Sequence, residues 1–194
     1  MIITIEQLKL QYKDYVDIPG KISRDIKTGK LFPLVKGVYE TDGTVYGAKL
    51  TQFIYGPSYL SFDYVLHQQG LIPETVYNTF TCATFNKRRI KTYNNHFGTF
   101  IYRDVPKEVF SLGVVAVQDG NYTYLKATPE KAFCDKLYTV SPVLSIRNLK
   151  NLLFEDLRID EEKFNELNKE DLLKLAPLYR SSNLNFLAKF IRGK

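Results

Sequence analysis

Apolar side chains at Ile5, Leu8, Tyr12 and Tyr15 fall on one face of a helix, and Thr4 with Gln7 supplies a capping-box pattern at its start. Asp17-Ile18-Pro19-Gly20 then reads as an interruption. Ile22 and Ile26 continue as a short second helix over 20–29, with Gly29 positioned to end it. Leu31 to Glu40 is strand-rich with Gly37 near its middle, which predicts a β-hairpin, and Asp42-Gly43 marks a tight turn. Gly56-Pro57-Ser58 reads as the start of another helix, with Tyr59, Phe62 and Leu66 as its stripe, Gly70 as its stop and Pro73 just beyond.

Thr, Tyr, Phe and Val dominate Thr75 to Lys126, which predicts an antiparallel sheet of short strands with turns at Asn94-Asn95 and Asp119-Gly120. Thr128-Pro129-Glu130 opens a helix, as N-cap, first-turn proline and dipole-compensating acid, and Phe133, Leu137 and Val140 give its buried face. Leu149/Leu152/Leu153, Leu172/Ala176/Tyr179 and Leu184/Leu187/Ala188/Ile191 keep the remainder helical. The expected class is α+β: an N-terminal module over 1–50, then a domain over 51–194 with its sheet at about 75–126 and helices over 128–194.

At 194 residues and 44% apolar content, the chain can bury a core without a disulfide or metal staple. Cys82 and Cys134 lie far apart and match no metal-ligand spacing; they could pair, but buried free thiols in a reducing compartment fit better. The opening residues carry a charge by Glu6, unlike a signal peptide, and no run approaches the ~20 apolar residues of a membrane span, so a cytoplasmic location is expected.

Catalytic patterns are scarce. Phosphate-cradling glycine loops and the Gly-x-Ser-x-Gly elbow are missing, and neither His67 nor His96 has a second His or Cys at i+3 or i+4. Asp160-Glu161-Glu162 is the one acidic cluster, and it precedes a helix whose N-terminus favours acids. The expectation is a non-enzymatic protein with no cofactor and no metal.

The net charge of +6 is spread evenly, except that residues 18–36 hold Lys21, Arg24, Lys27, Lys30 and Lys36 against one acid, Asp25. On the second helix, Ser23, Arg24, Lys27 and Thr28 fall opposite Ile22 and Ile26. That is the pattern of a helix that neutralises phosphates and reaches base edges. The hairpin would bring Lys36 to the same backbone as a wing. A full winged helix has three helices and only two fit before Leu31, so the module is expected to be abbreviated. A second basic surface, Lys87, Arg88, Arg89 and Lys91, is interleaved with Phe85, Tyr93, Phe97, Phe100 and Tyr102. It would suit single-stranded nucleic acid if those rings were exposed.

Three segments resemble bacterial antitoxins of the AbiEi type. Gly29-Lys-Leu-Phe-Pro-Leu-Val-Lys-Gly-Val-Tyr39 is similar to the family's wing, Tyr55-Gly-Pro-Ser-Tyr-Leu-Ser-Phe-Asp-Tyr-Val-Leu-His-Gln-Gln-Gly-Leu-Ile-Pro-Glu74 to its central stretch, and Ala127-Thr-Pro-Glu-Lys-Ala-Phe-Cys-Asp-Lys-Leu-Tyr138 to its signature helix. The resemblance implies an N-terminal winged helix that binds promoter DNA and represses its own operon. It also implies a second domain that counters a nucleotidyltransferase-like toxin in phage defence by abortive infection, without an obligatory stable complex. Lys21, Ser23, Arg24, Lys27, Thr28, Lys30 and Lys36 would face DNA, and paired half-sites would make the protein a dimer there. Gly56, Pro57, Ser58, Thr128, Pro129, Glu130 and Asp135 belong to the signatures, where they read as helix starts and packing, with Asp135 pairing Lys131 or a base on the sheet. The alternatives from other classes are a protein-interaction module without DNA binding and an RNA-binding sheet.

Overall fold

The computed structural model describes residues 1–74 and 77–193 and has an α+β architecture. Strand β1 (Ile2–Thr4) runs into helix α1 (Ile5–Gln11), where Thr4 and Gln7 form the expected reciprocal cap. The predicted stripe overshoots: the helix stops at Gln11, Leu8 is buried, and Tyr15 is left half exposed. Helix α2 (Ile18–Lys27) begins earlier than expected, because Asp17 caps it by accepting from the Gly20 amide at 2.9 Å and Pro19 sits in the first turn. The Asp-Ile-Pro-Gly run is thus a helix start, not a break.

Strands β2 (Phe32–Val35) and β3 (Val38–Glu40) form the predicted hairpin, with Gly37 at φ +82° in the turn. With β1 they make a three-stranded antiparallel sheet of order β1-β3-β2. Three residues are too few for an alternation signal, which is why β1 could not be foreseen.

A 3-10 turn (Gly47–Leu50) and the short helix α3 (Thr51–Ile54) lead to β4 (Tyr59–Leu60) and α4 (Phe62–Gln68). The helix expected from Gly56 therefore starts six residues late. Gly56-Pro57 is a cis turn, and Tyr59 and Leu60 form an inner strand of a six-stranded sheet. Both are fully buried, and pairing with a neighbouring strand along each edge holds the chain extended rather than helical.

Strands β5 (Thr79–Thr84), β6 (Lys91–Asn95), β7 (Gly98–Asp104), β8 (Val114–Asp119) and β9 (Tyr122–Ala127) complete that sheet in the order β6-β7-β5-β4-β9-β8. It is mixed, not antiparallel as expected: β5 runs parallel to β7 and β4 parallel to β9. The β6–β7 hairpin docks through its second strand, which restores the direction of β5. Thr75, the expected first residue of the sheet, lies outside the described residues, as does Lys194 at the end of the expected helical region. The turn expected at Asn94-Asn95 falls at His96-Phe97, because Asn95 still pairs with Gly98. Gly98, at φ +134°, has no room for a side chain: a Cβ would meet the Asn78 carbonyl at 2.3 Å.

Helix α5 (Pro129–Thr139) has the predicted Thr128 cap and packs against a helical layer of α6 (Ile146–Asn151), α7 (Glu161–Glu166), α8 (Lys169–Leu175) and α9 (Ser182–Ile191). Asp160 caps α7 by accepting from the Lys163 amide at 2.8 Å, the structural role expected of that acidic cluster. Cys82 and Cys134 are both free and buried.

These layers meet at one buried polar cluster. The Asp135 carboxylate lies 3.0 Å from the Lys131 ammonium and accepts from the hydroxyls of Tyr59 (2.9 Å), Ser61 (2.7 Å) and Tyr179 (2.5 Å). Lys131 also donates to the Tyr179 hydroxyl at 2.7 Å. Burial pulls the Lys131 ammonium below its usual range, with Asp135 opposing, and pushes the Tyr59 and Tyr179 hydroxyls well above theirs. Asp135→Leu should cost about 3–5 kcal/mol, since Lys131 would keep only one hydroxyl partner in a dry interior. Lys131→Met should cost less, because Asp135 would retain three hydroxyl donors. Urea unfolding midpoints at constant m-value test this, and an equal or larger loss in Lys131→Met would contradict the account.

Candidate nucleic-acid interface

Ile3, Leu8, Ile22 and Leu31 form a small apolar core for the N-terminal module, distinct from the larger cluster under the six-stranded sheet. The side chains of Phe32, Leu34, Val35 and Val38 join that larger cluster, so the three-stranded sheet is the seam between the two. Glu40, fully buried at the end of β3, reinforces the seam. It accepts from the Tyr122 hydroxyl at 2.7 Å and from the amides of Thr41 (2.9 Å) and Asp42 (3.0 Å), and it contacts the Met1 amine. Burial alone would raise its carboxyl; the donors outweigh burial and hold it below the ordinary range.

Helix α2 is oriented by Asp25, which is 3% exposed despite its charge. Lys21, one turn earlier, approaches it at 2.5 and 2.7 Å, and the Tyr12 hydroxyl donates to it at 2.7 Å. The Lys21 and Tyr12 hydrogen bonds hold the Asp25 carboxyl below its ordinary value of 3.8, and burial with the Asp25 bond pushes the Tyr12 hydroxyl up to about 12. Lys21 also lies over the Tyr12 and Tyr15 rings, 5.0 and 5.6 Å from their centroids. Lys21 is therefore half-buried and committed to Asp25 and the two tyrosine rings that follow α1, unlike the outward-facing base expected of it.

The other expected residues are on the surface. Ser23, Arg24, Lys27, Thr28 and Lys30 are exposed along and just after α2, and Lys36 is exposed beside Gly37 at the tip of the β2–β3 hairpin. The Thr28 hydroxyl bonds back to the Arg24 carbonyl at 3.0 Å. With Lys21 neutralising the one acid of the segment, Arg24, Lys27, Lys30 and Lys36 remain, and among the described residues none of them makes an ion pair. Ser23 and Lys27 also border an open groove of about 640 Å³, floored by Ile5, Ile18, Ile22, Ile26 and Tyr39.

The second basic surface is a loop rather than a platform. Arg88 and Arg89 are exposed, Lys87 and Lys91 half-buried, and the Lys87 ammonium sits 5.0 Å from the Tyr55 ring centroid. Asp104 holds the loop by accepting from the amides of Lys87 and Arg88 at 2.7 and 2.6 Å. Phe100 and Tyr102 are fully buried and Phe97 nearly so, which leaves no exposed row of rings for bases to stack on along β7.

Of the signature residues, Thr128 and Pro129 start α5, and Glu130 accepts from the Asn168 amide at 3.0 Å, tying α5 to α8. Gly56, Pro57 and Ser58 form a turn before β4 instead of the expected helix start. Ser58 is buried there, and Asp135 centres the polar cluster. Sequence reasoning foresaw Lys131 as one possible partner but missed Tyr59, Ser61 and Tyr179. The i,i+4 pair of opposite charges at Lys131 and Asp135, flanking Ala132, Phe133 and Cys134, was the available clue. His96 approaches the Gly43 carbonyl at 2.9 Å, a structural contact. Among the described residues, no three His, Cys, Asp or Glu side chains gather as a metal site, and no helix is long and apolar enough to cross a membrane.

Compared with known proteins, the chain matches no protein-family model and no curated protein sequence.

Because the Asp25 pKa is depressed in the fold, its contribution is complete above the ordinary carboxylate value of 3.8 and is lost as pH falls through the folded value. Amide exchange in α1 and α2 should therefore accelerate on acidification before that of the central strand β5. In Asp25→Asn the module should be loosened by about 1–3 kcal/mol near neutral pH, should converge on the parent in acid, and should lose this acid step. An unchanged acid step in that variant would assign the titration to another carboxylate.

Proposed function

We propose that this protein is a DNA-binding regulator of the AbiEi antitoxin type, an autorepressor acting in the cytoplasm. The observation that carries this reading is the surface of the N-terminal module. Arg24, Lys27, Lys30 and Lys36 stand without ion-pair partners among the described residues, around an exposed helix and the adjoining hairpin tip, with the short polar Ser23 and Thr28 among them. Two helices followed by a hairpin in a three-stranded sheet are consistent with an abbreviated winged helix. Bases of this kind release counterions from phosphates, while Ser and Thr add backbone or base-edge contacts. On the same reading, the domain after residue 50 counters a nucleotidyltransferase-like toxin without an obligatory stable complex, and it does so without cofactor or catalysis.

The open apolar groove beside α2 favours a second reading, in which the module binds a protein instead of DNA. The sheet lends no support to RNA binding, since the β7 aromatics are buried.

The two main readings separate on salt. Binding to the protein's own upstream promoter should exceed binding to scrambled duplex and weaken steeply as salt rises. Arg24→Ala and Lys27→Ala should each reduce the salt slope by about one, whereas Lys87→Ala should leave it unchanged. Equal, weak binding to both duplexes would overturn the DNA reading and turn attention to the groove.

A further inference from the structure

The two edges of the six-stranded sheet are unlike. Strand β6 begins with Lys91, continues with Thr92, Tyr93, Asn94 and Asn95, and is tied to the N-terminal module where the Asn95 amide donates to the Leu34 carbonyl at 3.2 Å. Charge and cover of this kind are how edge strands avoid pairing with other chains. Strand β8 is uncharged except for Asp119 at its turn end, and among the described residues no strand pairs with its outer edge. Val114, Val115, Ala116, Val117 and Gln118 include no charge and no proline, their pairing with β9 is regular throughout, and Val115 is 45% exposed.

The hairpin geometry fixes which β8 groups are free. Asp119 pairs with Tyr122 around the two-residue turn Gly120-Asn121, where Gly120 has φ +60° as a type II′ turn requires of its first central residue. The pair flanking such a turn exchanges hydrogen bonds, and the pattern alternates, so Asp119, Val117 and Val115 bond to β9. The Thr128 amide, donating to Gly113 at 2.8 Å, continues the same parity. The amides and carbonyls of Val114, Ala116 and Gln118 therefore point away from the sheet.

We propose that β8 is a self-association edge: two copies of this chain pair β8 to β8 antiparallel across a twofold axis at Ala116, forming one continuous sheet. The free groups dictate that register. Ala116 faces Ala116 of the second copy, and Val114 faces Gln118, giving about six main-chain hydrogen bonds from three outward residues per copy. Val115 then stands opposite Val117 of the second copy, a β-branched pair suited to the position. The strand's one charge, Asp119, falls opposite Gly113, so no like charges oppose each other. A second copy thus satisfies every free group of the edge, sets Val115 against Val117 and leaves no like charges opposed, which is the argument for it over a foreign strand.

The dimer needs no DNA, so its test is independent of the function proposed above. Sedimentation velocity of the purified protein from micromolar to submillimolar concentration, without nucleic acid, should reveal a species of twice the 22.5 kDa chain mass. Ala116→Pro removes an outward amide without breaking a β8–β9 bond, and Val115→Lys removes both apolar cross-strand pairs. Each should weaken the dimer roughly tenfold or more while circular dichroism and melting temperature remain those of the parent. Ala116→Cys should form an intermolecular disulfide on oxidation, because facing residues of a hydrogen-bonded antiparallel pair lie about 5.5 Å apart at Cα. Cys82 and Cys134 are buried and do not compete. A monomer throughout the range would overturn the proposal, and so would a dimer unaffected by both Ala116→Pro and Val115→Lys.

Discussion

The fold turns on the Asp135 carboxylate. It gathers hydroxyls from Tyr59 on an inner strand, Ser61 just after it and Tyr179 in the C-terminal helical layer, and it sits one turn from the ammonium that shares Tyr179. A fully buried charge is tolerable only when its lone pairs are spoken for, and here the donors arrive from two distant parts of the chain, Tyr59 with Ser61 and Tyr179. The arrangement rewards only the packing in which the strand, α5 and the turn at Tyr179 all meet. An apolar core of Leu and Phe would be less exacting, since it tolerates sliding that hydrogen-bond geometry does not.

How far the chain could be read in advance follows from the range of the interactions involved. Local signals held: Thr4 and Gln7 cap α1, Gly37 and Gly120 make their hairpins, and Thr128 with Pro129 opens α5, because each acts over three or four residues. The errors came where distant chain decides. Tyr59 has the spacing of a helical stripe with Phe62 and Leu66, yet β5 and β9, which pair with Tyr59 and Leu60 through Ala83, Cys82 and Lys126, hold the segment extended. The parallel pairing of β5 with β7 is similarly invisible, since a hairpin signal says nothing of which of its strands will dock.

The basic surface was legible as composition but not as an inventory of available charges. Five bases against one acid suggested five phosphate contacts, and the count omits that Asp25 is placed, by its position inside α2, to claim Lys21. A lysine one helical turn from a buried acid serves the interior, whereas the exposed Arg24 and Lys27 serve the surface. The aromatic-basic interleaving around Lys87 to Tyr102 divided the same way: Phe97, Phe100 and Tyr102 went inward, while Arg88 and Arg89 stayed exposed on the loop before β6.

Glu40 gives the N-terminal module a bearing as well as an attachment. The Tyr122 hydroxyl that it holds lies at the turn of the β8–β9 hairpin, and Lys49 grips Asp119 on the other side of the same turn at 2.8 Å. The basic helix is thus no arm swinging on a tether. Its direction is inherited from the six-stranded sheet through a few side chains at one hairpin tip, so whatever fixes the sheet in space also aims the helix.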